Sequence, residues 1–184
     1  INVSMLEALQ SLASKRGSIH ITHQTGEKDH GMVKREYEKS GLSHDVIPFI
    51  DDVAEQYRKA SLVICRAGAT TLAEVTACGK VSVLIPYPHA AHNHQEKNAR
   101  LLDAANAGEL VLDSELSGER IAQCILRTME NPQRMKKMED NSYQLGKRDA
   151  TEKVRAICMD LLTDAKQKFG RTRKTERNYV LSCF

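Results

Sequence analysis

A short glycine-containing loop has the residue types of a phosphate-binding site. In residues 64–75, ICRAGATTLAEV, an apolar run ends at an arginine and a helical pattern follows. Gly68 would let the backbone approach a ligand closely, and the N-terminus of the following helix would favour a phosphate. Thr70 and Thr71 could cap this helix or donate hydroxyl groups, and Glu74 could accept hydrogen bonds from two vicinal hydroxyls of a sugar. Because one glycine is weak evidence, a tight strand–helix turn explains the spacing at least as well.

A second segment, PYPHAAHNHQEKNA (residues 86–99), offers amide side chains for a sugar. Gln95 and Asn98 lie three residues apart, so they share one face of a helix predicted to begin at Asn93. Their amides can bind hydroxyls as donors and acceptors together. We expect His94 to bind a ligand or the backbone. No metal is expected, because the histidines lack the spacing and the cysteine or carboxylate neighbours of a metal site; these histidines are His89, His92 and His94.

Two further segments could line the same cleft. In IPFIDDVAEQY (residues 47–57), Phe49 and Ile50 could offer a flat surface and a backbone amide to a planar base. Core residues followed by a helix cap explain that segment equally well in isolation. The turn formed by residues 23–26, HQTG, could lie at the same edge, with the same alternative.

Alternating strands and helices must position these loops. Ligands of open parallel sheets bind outside the carboxyl ends of the strands, where the candidate loops fall. The alternation predicts an α/β fold, a Rossmann-like parallel sheet with helices on both faces, and the apolar runs at 62–65 and 81–85 are typical of central strands. Strands are predicted at 19–23, 46–50, 62–65, 81–85 and 109–112, and helices at 3–15, 32–39, 51–59, 70–78, 93–107, 117–130, 132–145 and 150–164.

The composition indicates one globular domain with a basic tail. Of the 184 residues, 41% are hydrophobic and 28% are charged, and the net charge is +3. Residues 165–184 carry six Lys or Arg and one Glu, a charge of 6 − 1 = +5, so residues 1–164 sum to 3 − 5 = −2. We therefore expect a domain at 1–164, a basic disordered tail at 165–184, and no nucleic-acid-binding surface on the domain. Five scattered cysteines suit the reduced thiols of a cytosolic protein.

Three segments, taken together, resemble one known family. They are HQTGEKD, VIPFIDDVAEQYRKASLVICRAGATTLAEVTACGK and VLIPYPHAAHNHQEKNA. In this order and spacing they resemble the C-terminal half of the MurG family, bacterial N-acetylglucosaminyltransferases that make lipid II. The resemblance covers residues 2–162. It implies the C-terminal half of a GT-B glycosyltransferase of family 28, in which this half holds most of UDP-GlcNAc.

The resemblance also implies a role for each candidate residue in binding UDP-GlcNAc. The backbone of Ile50 would bind uracil, and Gly68 would leave space for the donor. The start of the helix would lie beside the diphosphate, through Ala69, Thr70, Thr71 and Leu72. Glu74 would bind the ribose hydroxyls, and Gln95 with Asn98 would bind the GlcNAc hydroxyls.

The implied reaction is inverting transfer of GlcNAc from UDP-GlcNAc to the C4 hydroxyl of the MurNAc unit of lipid I, in peptidoglycan synthesis. A helix N-terminus can stabilise the charge on the departing UDP, so neither a metal nor another cofactor is expected. The family's acceptor domain, its catalytic base and its membrane-facing patch would precede Ile1. We therefore expect no catalytic residue here and donor binding without turnover. The full-length protein would be cytoplasmic and peripheral on the inner membrane.

Other functions stay open at this point. A stand-alone UDP-GlcNAc-binding subunit would need a membrane-anchored partner, and a non-catalytic interaction module could use the same fold. RNA binding through residues 165–184 would be salt-sensitive and would vanish when these residues are deleted.

Overall fold

A computed structural model describes the backbone of residues 1–169 and the side chains of residues 1–163. The helices are α1 (Asn2–Leu12), α2 (Glu27–Ser40), α3 (Val53–Lys59), α4 (Ala69–Ala77), α5 (His94–Ala104), α6 (Gly118–Glu130), α7 (Pro132–Leu145) and α8 (Ala150–Phe169). The strands are β1 (His20–Gln24), β2 (Ser43–Ile47), β3 (Leu62–Cys65), β4 (Val81–Leu84) and β5 (Gly108–Leu110). Short 3-10 turns lie at Ala13–Lys15, Ala91–Asn93 and Asp113–Glu115.

All five strands pair in parallel, which confirms the α/β fold class. One sheet was expected, whereas the described residues form two hydrogen-bonded sheets, β1-β2 and β3-β4-β5. The register runs from His20–Ser43 to Gln24–Ile47 between β1 and β2, from Leu62–Val81 to Cys65–Leu84 between β3 and β4, and from Ser82–Gly108 to Leu84–Leu110 between β4 and β5.

Neighbouring residues of β4 enter two separate hydrophobic clusters. Val83 packs with residues of α1 and α6, and Leu84 packs with residues of α4 and α5. Because successive side chains of a strand point to opposite faces, helices cover both faces of this sheet. Every residue of β4 is buried, as predicted for a central strand. The prediction was wrong for β3, which is an edge strand of its sheet and only half-buried.

The second strand lies three residues before its predicted position, at Ser43–Ile47 instead of 46–50. The carbonyl oxygen of Pro48 still accepts a hydrogen bond from Gly26 N–H at 3.0 Å. Pro48 has no N–H of its own, so it ends the strand. The strand itself begins with three polar residues, of which Ser43 and Asp45 are exposed, whereas the prediction followed the apolar run that begins at Val46.

Several helix boundaries also differ from the predicted ones, those of α2 and α5 among them. α2 begins at Glu27 rather than at residue 32, and its first turn is polar and acidic. Acidic residues stabilise a helix N-terminus, but they give no apolar periodicity to read. α5 ends at Ala104 rather than at residue 107, because Asn106 has a left-handed backbone with φ of +51°.

The chain divides into two compact units, Ile1–Gly146 and Lys147–Phe184. The second unit contains α8, on which apolar side chains such as Val154, Ile157 and Leu161 are exposed. Among the described residues, no helix is long and apolar enough to cross a membrane. The tail predicted at 165–184 lies outside the described residues from position 170 onward.

Candidate functional site

Arg66, in the loop after β3, forms hydrogen bonds with the loops that follow the parallel strands β4 and β5. Its Nη1 atom donates to the carbonyl oxygens of Ile85 at 3.2 Å and Pro86 at 2.9 Å, and to Asp113 Oδ1 at 3.1 Å. Its guanidinium also lies 5.5 Å from the centre of the Tyr87 ring. Arg66 therefore fixes the carboxyl edge of the β3-β4-β5 sheet. The position of Arg66 directly after an apolar strand is visible in the sequence, but its bonds to the other two loops are not.

The loop after β3 leads into the open N-terminus of α4. Gly68 is the N-cap, so Thr70 and Thr71 do not cap the helix as one interpretation of the sequence had it. The N–H of Leu72 donates to Gly68 O at 3.0 Å, which is the first hydrogen bond within the helix. The N–H groups of residues 69–71 precede that bond and point out of the helix end. Together with the helix dipole they form a place for an anion.

Gly68 is not required by the fold of its own loop. Its φ is −67° and its ψ is 147°, a conformation that any residue can adopt. A Cβ atom built on Gly68 would have Thr71 Oγ1 at 3.8 Å as its nearest neighbour, which is ordinary contact. Since neither backbone geometry nor packing calls for glycine, the space that its missing side chain leaves is available to a ligand.

Glu74 lies one turn along α4, with its side chain exposed. The Tyr57 hydroxyl, on α3, donates to Glu74 Oε2 at 3.2 Å. Burial raises the pKa of Tyr57, and the nearby Glu74 carboxylate raises it further. The phenol is therefore protonated and acts as the donor in this pair. Tyr57 was not among the residues identified from the sequence.

The Ile50 amide, predicted to bind a planar base, is engaged by Gln24. Gln24 Oε1 accepts from Ile50 N–H at 2.9 Å, and the neighbouring Phe49 is 66% exposed. Gln24 is exposed, so its amide can leave when another acceptor arrives. His23 and Thr25, from the turn that could have lined the cleft, are buried, in keeping with the structural alternative.

His23 belongs to a buried hydrogen-bond network beside β1. Its Nδ1 lies 3.0 Å from Tyr37 Oη, and its Nε2 lies 3.1 Å from Asn2 Oδ1. Burial lowers the pKa of His23, because the charged imidazolium would lose its water. The network joins the start of α1 to β1, so His23 has a structural role.

The amides predicted to bind sugar hydroxyls are partly engaged with the backbone. Gln95 Oε1 accepts from Tyr87 N–H at 3.0 Å, and Asn98 Nδ2 donates to Ala67 O at 3.3 Å. An amide has both donor and acceptor atoms, so Gln95 Nε2 and Asn98 Oδ1 remain for a ligand. His94 Nδ1 lies 2.7 Å from Ala91 O, so this histidine binds the backbone, one of its two predicted roles.

The described residues contain no group of three or more His, Cys, Asp or Glu side chains placed to hold a metal ion. Burial raises the pKa of the Cys65 thiol to about 12. Burial, followed by the nearby Glu109, raises that of Cys124 to about 12 as well. Both thiols are therefore neutral at physiological pH and are poor nucleophiles.

A surface groove lies along α6, lined by residues that include Arg120, Arg127 and Asn131. The buried Glu109 carboxylate accepts from Arg127 and pairs with Arg120 at 3.1 Å and Arg134 at 3.8 Å. These arginines neutralise a buried acid. The groove is charged, but it lacks the open helix N-terminus and the small residues that the loop before α4 provides for a ligand.

Residues 1–154 match the glycosyltransferase family 28 C-terminal domain. A relative from Myxococcus xanthus (strain DK1622) is 44% identical over 173 residues, covering 94% of this chain and 45% of the relative. One from Geobacter sulfurreducens is 49% identical over 154 residues, covering 84% and 42%. Both are named UDP-N-acetylglucosamine--N-acetylmuramyl-(pentapeptide) pyrophosphoryl-undecaprenol N-acetylglucosamine transferase. The chain thus spans less than half the length of these relatives.

Solved structures agree with this match. The crystal structure of Acinetobacter baumannii MurG superposes with a TM-score of 0.75 at 31% identity, over 86% of this chain and 45% of that one. A UDP-N-acetylglucosamine 2-epimerase superposes with a TM-score of 0.62 at 13% identity, over 96% of this chain and 43% of that one. The second likeness concerns the fold alone.

Proposed function

Because this chain belongs to the glycosyltransferase family 28 C-terminal domain, we propose that it is the donor-binding half of an inverting N-acetylglucosaminyltransferase. The proposed donor is UDP-GlcNAc, and the site is the loop after β3 with the start of α4. The observation that carries the proposal is Gly68, a glycine that its own loop does not need, beside an open helix N-terminus. The names of the relatives supply the sugar and the acceptor.

The diphosphate is the part of the donor that best fits the α4 N-terminus. The N–H groups of Ala69, Thr70 and Thr71 would donate to its oxygens, while Leu72 contributes by closing the first helical turn. Glu74, one turn further, would accept from the two ribose hydroxyls.

The base and the sugar would be held by the loops on either side. Uracil carries a carbonyl next to an N–H, the same pattern as the Gln24 carboxamide, so it can replace Gln24 at the Ile50 backbone. At the other end, Gln95 Nε2 and Asn98 Oδ1 would bind the GlcNAc hydroxyls.

The same helix end would promote the reaction. Negative charge grows on the UDP diphosphate as the bond to the GlcNAc anomeric carbon breaks, and a fixed helix dipole stabilises that charge. The attacking C4 hydroxyl would belong to the MurNAc unit of lipid I. We infer that its binding site and general base lie in the part of the relatives that this chain does not span, and we expect donor binding without transfer by the chain alone.

The full-length protein is proposed to act at the cytoplasmic face of the inner membrane, because its acceptor is linked to a lipid. The donor domain is proposed to span residues 1–164, with residues 165–184 as a basic tail.

Gly68→Ala is expected to leave the fold intact and to weaken UDP-GlcNAc binding about tenfold or more. The added methyl group meets only ordinary contact within the protein, at 3.8 Å. It would nevertheless occupy space needed by the diphosphate, and overpacking of this kind costs roughly 1–3 kcal/mol. Calorimetric titration gives the affinity, and thermal melting gives the stability.

Gly31→Ala, on α2, is the matched control, because its new methyl group also meets only ordinary contact, with Arg35 Nη1 at 3.7 Å. The control should bind UDP-GlcNAc as the wild type does. Equal donor affinity in the Gly68→Ala protein would contradict the placement of the diphosphate at this loop.

A further inference from the structure

Tyr57 connects two helices that approach the proposed site from different strands. α3 follows β2, and α4 follows β3. The bond from Tyr57 Oη to Glu74 Oε2, at 3.2 Å, links side chains 17 positions apart in the sequence. It therefore fixes the Glu74 carboxylate against an element outside its own helix.

An exposed glutamate on a helix surface otherwise samples several rotamers. Restricting such a side chain costs conformational entropy, and the binding of a ligand must offset this cost if the protein does not. A carboxylate has about four acceptor positions. The Tyr57 bond uses one of these on Oε2 and leaves Oε1 free, so Glu74 is held in place while it keeps the capacity to accept two ribose hydroxyls.

The surroundings of Tyr57 keep it in its donor form. The ring is half-buried, and its burial and the neighbouring carboxylate both act against ionisation of the phenol. The acid on α3 itself, Glu55, is partly exposed and pairs with Arg58 and Lys59 of the same helix, so it does not compete with Glu74 for the Tyr57 hydroxyl.

We propose that Tyr57 is a positioning residue, which holds Glu74 in the orientation that binds the 2′ and 3′ hydroxyls of ribose and so makes the site select ribonucleotide over deoxyribonucleotide donors. This inference rests on the proposed function, since it takes Glu74 to be the ribose ligand. Tyr57 is not assigned a contact with the donor itself.

The experiment measures affinity for UDP-GlcNAc and for its 2′-deoxyuridine analogue in wild type, Tyr57→Phe and Glu74→Gln. The wild type should prefer the ribose form about tenfold, the value of a hydrogen bond to a charged group. Tyr57→Phe keeps the ring and loses only the hydroxyl, and it should reduce this preference to about threefold or less. The variant should bind UDP-GlcNAc more weakly than the wild type does, whereas its affinity for the deoxy analogue should change little. Glu55→Gln, on the same helix, is the control and should keep the full preference.

The ratio of the two affinities is insensitive to partial unfolding, because the active fraction affects both ligands alike. A full ribose preference in Tyr57→Phe, together with a preference lost in Glu74→Gln, would overturn the positioning role and leave the proposed donor site standing. A full preference in Glu74→Gln would overturn the ribose assignment, and the role of Tyr57 with it.

Discussion

Replacing Glu74 with alanine is expected to weaken UDP-GlcNAc binding about a hundredfold or more. Two hydroxyls donating to one carboxylate make two hydrogen bonds to a charged group, each worth about 1.5–3 kcal/mol, and 1.4 kcal/mol corresponds to a factor of ten. The fold should be unaffected, because Glu74 is exposed and substitutions at such positions usually change stability by less than about 0.5 kcal/mol. Calorimetry with UDP-GlcNAc measures the loss.

Glu119→Ala, an exposed carboxylate in the first turn of α6, is the matched control and should bind as the wild type does. An unchanged affinity in Glu74→Ala would remove Glu74 from the site. Failure of both the wild type and the variant to bind would favour the alternative function, a non-catalytic interaction module on this fold.

Gly118→Ala is expected to destabilise the protein by about 3 kcal/mol, the largest stability effect that the structure predicts for a single methyl group. A Cβ atom on Gly118 would lie 2.2 Å from Glu7 Cβ, 2.6 Å from Glu7 C and 2.8 Å from Ala8 N. Two of these atoms are backbone, so α1 and α6 would have to move apart.

That movement would open the main hydrophobic cluster, in which Leu12 of α1 and Ile121 of α6 are fully buried. It would also weaken the hydrogen bond from Gly118 N–H to Glu7 Oε2, at 3.0 Å. For a chain of this size, 3 kcal/mol lowers the melting temperature by roughly 10 °C. Urea denaturation followed by circular dichroism gives the free energy of unfolding.

Gly31→Ala again serves as the control, and here it should leave the free energy of unfolding unchanged or raise it. Gly31 lies inside α2, where a Cβ would have Arg35 Nη1 at 3.7 Å as its nearest neighbour. Alanine favours a helix over glycine by up to about 1 kcal/mol, so this variant should be as stable as the wild type or more so. Wild-type stability in Gly118→Ala would contradict the close approach of α1 and α6.

Much of the fold could be predicted because local signals agreed with the final packing. The apolar run LVIC became β3 without any shift, and α7 began at Pro132 as predicted. Where the apolar pattern was weak, prediction failed. β2 is polar and half-exposed, and its end is set by Pro48 and by pairing with β1, neither of which the apolar run indicates.

The residues of the candidate site could be predicted from the sequence, but the contacts between them could not. Residue type and spacing selected Gly68 and Glu74, since a small residue before a helix and an acid one turn later lie within a single segment. The contacts that organise the site join distant parts of the chain. Gln24 and Ile50 are 26 positions apart, and Arg66 reaches Asp113 across 47. Such pairs depend on how the strands are ordered in the sheets, which no single segment encodes.

Chemical-shift mapping of the isotope-labelled chain with UDP-GlcNAc tests the proposed donor site most directly. The predicted result is that the backbone amides of Ile50, Ala69, Thr70 and Thr71 shift most, and that they saturate together with one affinity. Shifts gathered instead around Arg120 and Arg127 in the α6 groove, or no shifts at all, would contradict a UDP-GlcNAc site at the start of α4.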